Sequence, residues 1–217
     1  MLRKWEELPE DMRTEEVKEY YDILSHRKAS LLVKRIFDFV VALIMLIIIS
    51  PILLILALLI TLDSPGGVFY RQVRVTQYGK EFRIHKFRTM VNNADRIGSL
   101  VTVGADARIT KIGAFLRKYR LDELPQLFNI LLGQMSFVGP RPALWNQTRL
   151  MRLRDSNGSS AFRPGLTGWA QINGRDDISE TLKAKYDVQR LVLNDLDLET
   201  VRRDLPRKRL NGIIDPA

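Results

Sequence analysis

The sequence predicts a helix-rich α/β protein, with a membrane-embedded helix–break–helix near the N-terminus followed by a small domain containing a short β-hairpin. Three observations carry this. Phe39 to Leu62 is an unbroken run of 24 residues without a charge, long enough at ~1.5 Å per residue to cross a hydrocarbon core of ~30 Å. Residues 68–87 read as two short strands, rich in β-branched and aromatic residues, joined at a turn. Residues 110–133 carry a cap, a first-turn proline and a terminal glycine, the punctuation of helices.

The membrane segment is the first element to justify. Ser50-Pro51 sits at its midpoint, where the proline ring removes a backbone donor and crowds the preceding turn. Both flanks are basic, with Arg27, Lys28, Lys34 and Arg35 before it and Arg71, Arg74, Lys80, Arg83, Lys86 and Arg88 after it. Basic flanks stay in the cytoplasm, so two of them around one segment favour a re-entrant hairpin with both ends on the cytoplasmic face. An ordinary spanning helix, its proline accommodated by neighbours, is the alternative on topology alone. The run starts too far from Met1, and is too long, for a cleaved signal peptide.

Four segments follow: an amphipathic N-terminal stretch over 1–33, the re-entrant helix over 34–63, a cytoplasmic domain over 64–187 and a basic tail over 188–217. In the first, charged Glu15, Glu16, Lys18, Glu19 and Asp22 interleave with Val17, Tyr20, Tyr21, Ile23 and Leu24, a helix packed on a neighbour or lying in the membrane interface. Strands are expected over Val68–Val75 and Glu81–Phe87, joined at Gln77-Tyr78-Gly79-Lys80. The stretch Ser64–Met90 holds six basic residues and one acid. A helix is expected over Val91–Ile97 and a loop over Gly98–Ala107. Thr110 can cap a helix from Lys111 to about Tyr119. A second helix should start near Leu121-Asp122-Glu123, because Pro125 is tolerated only in a first turn, and end at Gly133. Residues 183–203 are polar and partly helical.

The net charge of +9 and sequence pI of about 9.9 point to nucleic acid, anionic lipid or phosphorylated small molecules. The membrane segment favours the last two, and no nucleic-acid motif is present. The chain has no cysteine and two histidines, His26 and His85, far apart in sequence. That removes disulfides, thiol nucleophiles and cysteine–zinc sites, and argues against a histidine-rich metal site.

Three constellations carry chemistry. Asp122-Glu123 stand together at a predicted helix start, with Arg117, Lys118 and Arg120 close by. Acids there commonly complement the helix dipole. Beside cations they also suit phosphoryl transfer, one carboxylate kept ionised as nucleophile and one holding Mg²⁺. The second is a supply of cations: Lys86, Arg88, Arg163, Arg175, and Arg141 between Pro140 and Pro142, whose fixed φ limits the freedom of the backbone carrying the guanidinium. Solvated surface is the plainer reading for each of these except Arg141. The third is Gly165, Gly168 and Gly174 with Thr167 and Gln171, a weak signal that an ordinary turn also explains.

Long stretches resemble the bacterial sugar transferases, the monotopic phosphoglycosyl transferases: Arg120-Leu-Asp-Glu-Leu-Pro-Gln-Leu-Phe-Asn129, Ser136-Phe-Val-Gly-Pro-Arg-Pro142 and Arg163-Pro-Gly-Leu-Thr-Gly-Trp-Ala-Gln-Ile-Asn-Gly-Arg175. Lys34-Arg35-Ile36-Phe37-Asp38, Ser50-Pro51 and Lys86-Phe87-Arg88-Thr89-Met90 match as well, so the likeness runs from about Lys34 to Asp187. The resemblance implies transfer of a sugar-1-phosphate from a UDP-sugar to undecaprenyl phosphate at the cytoplasmic face of the bacterial inner membrane, initiating capsule, exopolysaccharide, O-antigen or glycoprotein synthesis. It implies Asp122 as nucleophile, Glu123 as Mg²⁺ ligand, a phosphosugar-aspartyl intermediate and release of UMP. It places Pro140, Arg141 and Pro142 near the nucleotide and assigns a late aspartate to Asp187. Lys86, Arg88, Arg120 and Arg175 join these as substrate-binding candidates. The implied partners are the two substrates and membrane lipids, and an oligomer is compatible with the sequence.

The chain departs from the family after Asp187. No aromatic residue follows, and Arg202, Arg203, Arg207, Lys208 and Arg209 cluster there, a tail suited to anionic lipid. The rival function class is a catalytically silent membrane scaffold of a glycan-assembly complex. The intact Asp122-Glu123 pair favours the enzyme.

Overall fold

The computed structural model describes residues 2–26, 28–94, 106–173 and 178–195. Of the helix expected over 91–97, residues 91–94 are described: 91–93 form a turn, with Asn93 in the left-handed region at φ 61°, and helix begins at Ala94. Residues 95–97, most of the loop expected over 98–107, Gly174, Arg175 and 196–217 of the basic tail lie outside the described residues.

Two helices open the chain, α1 (Glu15–His26) after two 3₁₀ turns, and α2 (Lys28–Asp63). The start of the chain lies on the protein itself. Leu8, Met12 and Val17 are buried, the Arg3 N–H donates to the Tyr78 hydroxyl at 3.2 Å, and the Tyr21 hydroxyl donates to the Arg3 carbonyl at 2.8 Å. Of the two sequence readings of this amphipathic stretch, the structure takes packing against a neighbour.

The helix–break–helix expected at Ser50 and Pro51 is instead one helix of 36 residues without an interruption. The residue pair explains how. Proline at 51 has no N–H to offer the carbonyl of residue 47. The Ser50 hydroxyl donates to that carbonyl at 2.9 Å, filling the gap from one residue away. Such side-chain back-bonding bends helices rather than ending them. Most of α2 finds no cover in the protein: Ile47, Ile48, Leu54, Leu58 and Leu62 are all at least 60 % exposed. An apolar surface of that extent belongs to a membrane-associated chain.

One stripe of α2 does pack. Ala42 and Leu46 join Phe82, Ile84, Leu127, Ile130 and Met135 in one core cluster. Leu56 and Ile60 join Phe87 and Leu116 in a second. Both ends of the stripe are tied by charge. The Arg35 guanidinium donates to the carbonyls of Ile130 and Leu131 at 2.6 and 2.8 Å. Asp38 is buried, accepting from Lys34 at 3.1 Å and from the Ser136 hydroxyl at 2.8 Å. Asp63 accepts from the N–H of Ile112 at 3.1 Å.

The hairpin forms as the sequence predicts, β1 (Phe69–Val75) antiparallel to β2 (Glu81–Phe87), Phe69 opposite Phe87 and Val75 opposite Glu81. Thr110 caps α3 (Lys111–Lys118) by accepting from the Gly113 N–H at 2.9 Å. The expected second helix arrives in two pieces, a 3₁₀ turn over Leu121–Glu123 and then α4 (Gln126–Leu131). Arg120, in the left-handed region at φ 59°, turns the chain sharply between α3 and that 3₁₀ turn.

Strand β3 (Ser136–Val138) runs parallel to β5 (Gly165–Thr167), and β4 (Ala143–Leu144) extends β1. Gly165 and Gly168 of the third constellation serve this crossing. A Cβ on Gly165 would lie 2.1 Å from the Gly139 nitrogen, and one on Gly168 2.3 Å from the Gly139 carbonyl oxygen. They let backbone meet backbone. Helices α5 (Thr148–Ser156), α6 (Trp169–Ile172) and α7 (Glu180–Asp195) complete the domain.

Candidate active site

The Asp122-Glu123 turn sits over β2, and one fully buried side chain fixes the two. Asn129, on α4, accepts from the His85 N–H at 2.9 Å and donates to the Arg83 carbonyl at 2.8 Å. With α4 locked to β2, Lys86 on that strand donates to the Glu123 carboxylate at 2.9 Å. Arg120 approaches the same oxygen at 3.8 Å.

The two acids live in different fields. Asp122 is 7 % exposed, and its Oδ1 is buried without a hydrogen-bond partner. Burial pushes its carboxyl above the usual aspartate range, the Lys86 charge pulls the other way, and Glu123 adds to the rise. Glu123 also feels burial, but Lys86, Arg141 and Arg120 together hold its carboxyl below the usual range. The expectation that the cations keep the nucleophile candidate's pKa low is therefore reversed at Asp122, where desolvation is the larger effect, while the neighbouring Glu123 is the acid whose pKa they lower.

Arg141 is fixed through its backbone and projects toward this pair. Three successive carbonyls are bonded: Pro140 accepts from the Gly165 N–H at 2.8 Å, Arg141 from Arg154 at 2.9 Å and Pro142 from Arg74 at 3.0 Å. The two prolines remove φ freedom and the three carbonyls are held, so the guanidinium is carried on a rigid arm.

A cleft of about 790 Å³ opens in front of these groups, lined by Lys86, Arg120, Asp122, Glu123 and Arg141. Nine of its lining residues are basic and two acidic, a field built for a polyanion. A second cavity, of about 750 Å³, shares Arg120, Glu123 and Arg141 with it and continues to Met45 on α2.

The structure thus brings together Asp122, Glu123, Lys86, Arg120 and the Pro140-Arg141-Pro142 arm. Two substrate-binding candidates are placed otherwise. Arg88 borders the cleft, but its guanidinium donates to the carbonyls of Pro65 and Ser64 at 2.7 and 2.6 Å and approaches that of Ile60 at 3.4 Å. It closes the C-terminal end of α2, where unpaired carbonyls attract cations, and Gly66 leaves the room, since a Cβ there would meet it at 2.2 Å. Asp187 is 3 % exposed and outside both cavities. It pairs with Arg154 at 2.7 Å, and burial raises its carboxyl against the pull of that arginine. Asp187 borders the site through its partners: Arg154, which lines the cleft and holds the carbonyl of Arg141, and the charge of Lys183, which lines it too. Arg163 lies near Arg35, Asp38 and Tyr78 instead, and Arg175 is outside the described residues.

Sequence reasoning missed Arg154 and gave Gln171 too little weight. Arg154 looks like any other base in the run Arg149, Arg152, Arg154. Gln171 lines both cavities, with its Oε1 buried and unbonded. Its place in the glycine-rich stretch was the available signal.

A family model described as bacterial sugar transferase matches residues 29–199. The chain is 41 % identical over 158 residues to the uncharacterized sugar transferase EpsL of Bacillus subtilis, covering 73 % of this chain and 77 % of that protein. It is 43 % identical over 155 residues to the UDP-glucose:undecaprenyl-phosphate glucose-1-phosphate transferase of Escherichia coli, covering 70 % of this chain but 33 % of that longer protein. It is 38 % identical over 171 residues to the exopolysaccharide production protein ExoY of Sinorhizobium fredii, covering 71 % and 74 %. With the match spanning most of its length, the chain belongs to the bacterial sugar transferase family.

Proposed function

We propose that this protein transfers a sugar-1-phosphate from a UDP-sugar to undecaprenyl phosphate at the cytoplasmic face of the membrane, initiating an exopolysaccharide or related glycan. One observation carries the reading: a buried Asp122, beside a Glu123 held ionised by Lys86 and Arg141, at the floor of a cationic cleft next to an apolar helix. Arg120, Arg141 and Lys86 bind and orient the diphosphate. An Asp122 carboxylate oxygen attacks the phosphorus that carries the sugar. The bond from that phosphorus to the UMP oxygen breaks, and its electron pair leaves with UMP. The acceptor phosphate then attacks the same phosphorus and frees Asp122. Burial, which raises the Asp122 pKa, also raises its basicity as a nucleophile, while Lys86 and the arginines pull in the opposite direction.

The residues suit Mg²⁺. The ion takes one or two carboxylates and completes its shell with phosphate oxygens, and Asp122 Oδ1 is a buried acceptor with no protein partner. Among the described residues no three His, Asp or Glu side chains are grouped for a metal, and phosphate oxygens of the donor and water would complete the shell of an ion held by one carboxylate. Glu123 is the protein group proposed to hold the ion, which when bound neutralises charge on the diphosphate.

A bent, re-entrant path for α2 is part of the same proposal. Arg35 and Asp63 are 28 positions apart, about 42 Å on a straight helix. Both are bonded to one domain that, at roughly 120 residues, is only about 35 Å across.

The test is UMP release from a panel of UDP-sugars with undecaprenyl phosphate and Mg²⁺, alongside Asp122→Asn. Lipid-dependent release that disappears in the variant supports the assignment. Turnover by Asp122→Asn equal to wild type sinks the nucleophile, and silence of the wild type with every donor favours the scaffold.

A further inference from the structure

We propose that residues 2–26 form a strap that positions Arg141, bracing from behind the two segments that bond the backbone of its arm. The effect on the donor rests on the transferase reading above. The strap itself lies ahead of residues 29–199, which the family model matches.

The arm hangs from three donors on two segments. The Pro142 carbonyl accepts from Arg74, at the end of β1 that leads into the turn carrying Tyr78. The Arg141 carbonyl accepts from Arg154 on α5, and the Pro140 carbonyl from the Gly165 N–H at the start of β5. The chain from Arg154 to Gly165 is thus a cradle, bonded to the arm at each end. The strap lies against its middle. The Ser160 hydroxyl donates to the Met12 sulfur at 3.3 Å, and Val17 packs on Gly158, where a Cβ would meet it at 3.3 Å. The strap holds the other segment through Arg3, whose N–H donates to the Tyr78 hydroxyl and whose guanidinium lies 4.5 Å from the centre of the Tyr78 ring. Gln77 ties the two segments together, donating to the Ala161 carbonyl at 2.7 Å.

Behind the arm the packing is open. A cavity of about 320 Å³ separates the two segments, with Val75, Thr76, Pro140, Arg154, Ser159 and Ser160 in its wall. Close-packed groups hold one another in place, whereas a cradle beside a cavity can shift into it. The Ser159 hydroxyl is buried in that wall without a partner, so no hydrogen bond from it stiffens the cradle. The burial of Leu8, Met12 and Val17 supplies the grip from outside. An arm without that grip must be ordered each time the diphosphate binds. That entropic cost falls on affinity, and chemistry within the complex is spared.

The test uses the full chain. Met12→Glu places a charge in a seat that is 1 % exposed and should lift the strap, as a terminal segment can lift from the domain beneath it. In UMP release, KM for the UDP-sugar should rise about fivefold or more, with kcat within about twofold of wild type. Met12→Leu should restore wild-type values. If Met12→Glu does not fold, Tyr78→Phe, which removes the acceptor of the Arg3 N–H, replaces it and should raise KM less. With Arg141→Ala the donor no longer feels the arm, so adding Met12→Glu should then change KM by less than about twofold. An unchanged KM in the single variant, or a full rise that persists beside Arg141→Ala, overturns the proposal. Silence of the wild type with every donor counts against the transferase reading alone. In that case, or if Arg141→Ala releases no UMP, hydrogen exchange decides the strap. Faster exchange of the Gly165 N–H in Met12→Glu, with that of the His85 N–H on Asn129 unchanged, supports it. An unchanged Gly165 rate, or equal acceleration of both, overturns it.

Discussion

Asp187 and Arg154 offer a prediction in which stability and activity come apart. Arg154 donates to Asp187 from Nε at 2.9 Å and from Nη2 at 2.7 Å, and from Nη1 to the Arg141 carbonyl at 2.9 Å. Its side chain is 9 % exposed and that of Asp187 1 %. Removing one partner strands the other charge in the interior, a cost of about 3–5 kcal/mol. Asp187→Asn keeps an acceptor oxygen and belongs at the low end, near 3 kcal/mol, a large share of a typical 5–15 kcal/mol. The double variant Asp187→Leu, Arg154→Met exchanges the pair for apolar groups of similar volume, which is often neutral. It still leaves the Arg141 carbonyl unbonded, worth about 1–3 kcal/mol, so it should be more stable than Asp187→Asn. Its Arg141 arm is loose, and kcat/KM for the UDP-sugar should stay well below wild type. Thermal unfolding in detergent and UMP release, measured on the same preparations, give both quantities. Loss of transfer in Asp187→Asn with unchanged stability would refute the reasoning and return Asp187 to the substrate.

Other outcomes follow from the same contacts. Asp122 must be ionised to attack, and its pKa is raised by burial against the pull of Lys86. UMP release should therefore climb with pH on an acid limb above the ordinary aspartate range, and Lys86→Met should move that limb higher; a downward move contradicts the assignment. Arg35→Ala removes two charged hydrogen bonds to the end of α4, each worth about 1.5–3 kcal/mol, and should lower stability by about 3–6 kcal/mol with Arg35→Lys intermediate in denaturant titration. Gly165→Ala forces a Cβ to 2.1 Å from a backbone nitrogen and should disrupt the β3–β5 crossing, read as a lower midpoint in the same titration. Pro51→Ala should straighten α2, and cysteine-accessibility mapping should then place Arg35 and Asp63 on opposite faces.

What the sequence disclosed depended on how local each feature's cause was. The hairpin, the Thr110 cap and the acid pair rest on neighbours in the chain, and their positions were legible to within a residue or so. The contacts of Arg88 were not legible, because basic residues two apart on a strand look alike, whereas one reaches an acid and the other a helix end 28 positions away. Those of Asp187 were hidden for a related reason. Its partner lies 33 positions upstream, and only the fold shows that this partner also holds the Arg141 carbonyl. The sign of the Asp122 shift was hidden too, because the nearby cations were visible in the sequence and the burial that outweighs them was not.

Arg88 and Lys86 stand on one short rod of backbone, the first gripping the end of the membrane helix and the second gripping Glu123. The strand ties the end of that helix to the acid pair. Thickening or thinning of the bilayer tugs on an embedded helix at a modest cost per ångström of mismatch. Here such a pull arrives two residues from the ammonium that sets the charge balance of the acid pair. Lipid thickness becomes a reagent in its own right, and the same protein reconstituted in short-chain and long-chain vesicles should turn over at different rates with identical substrates.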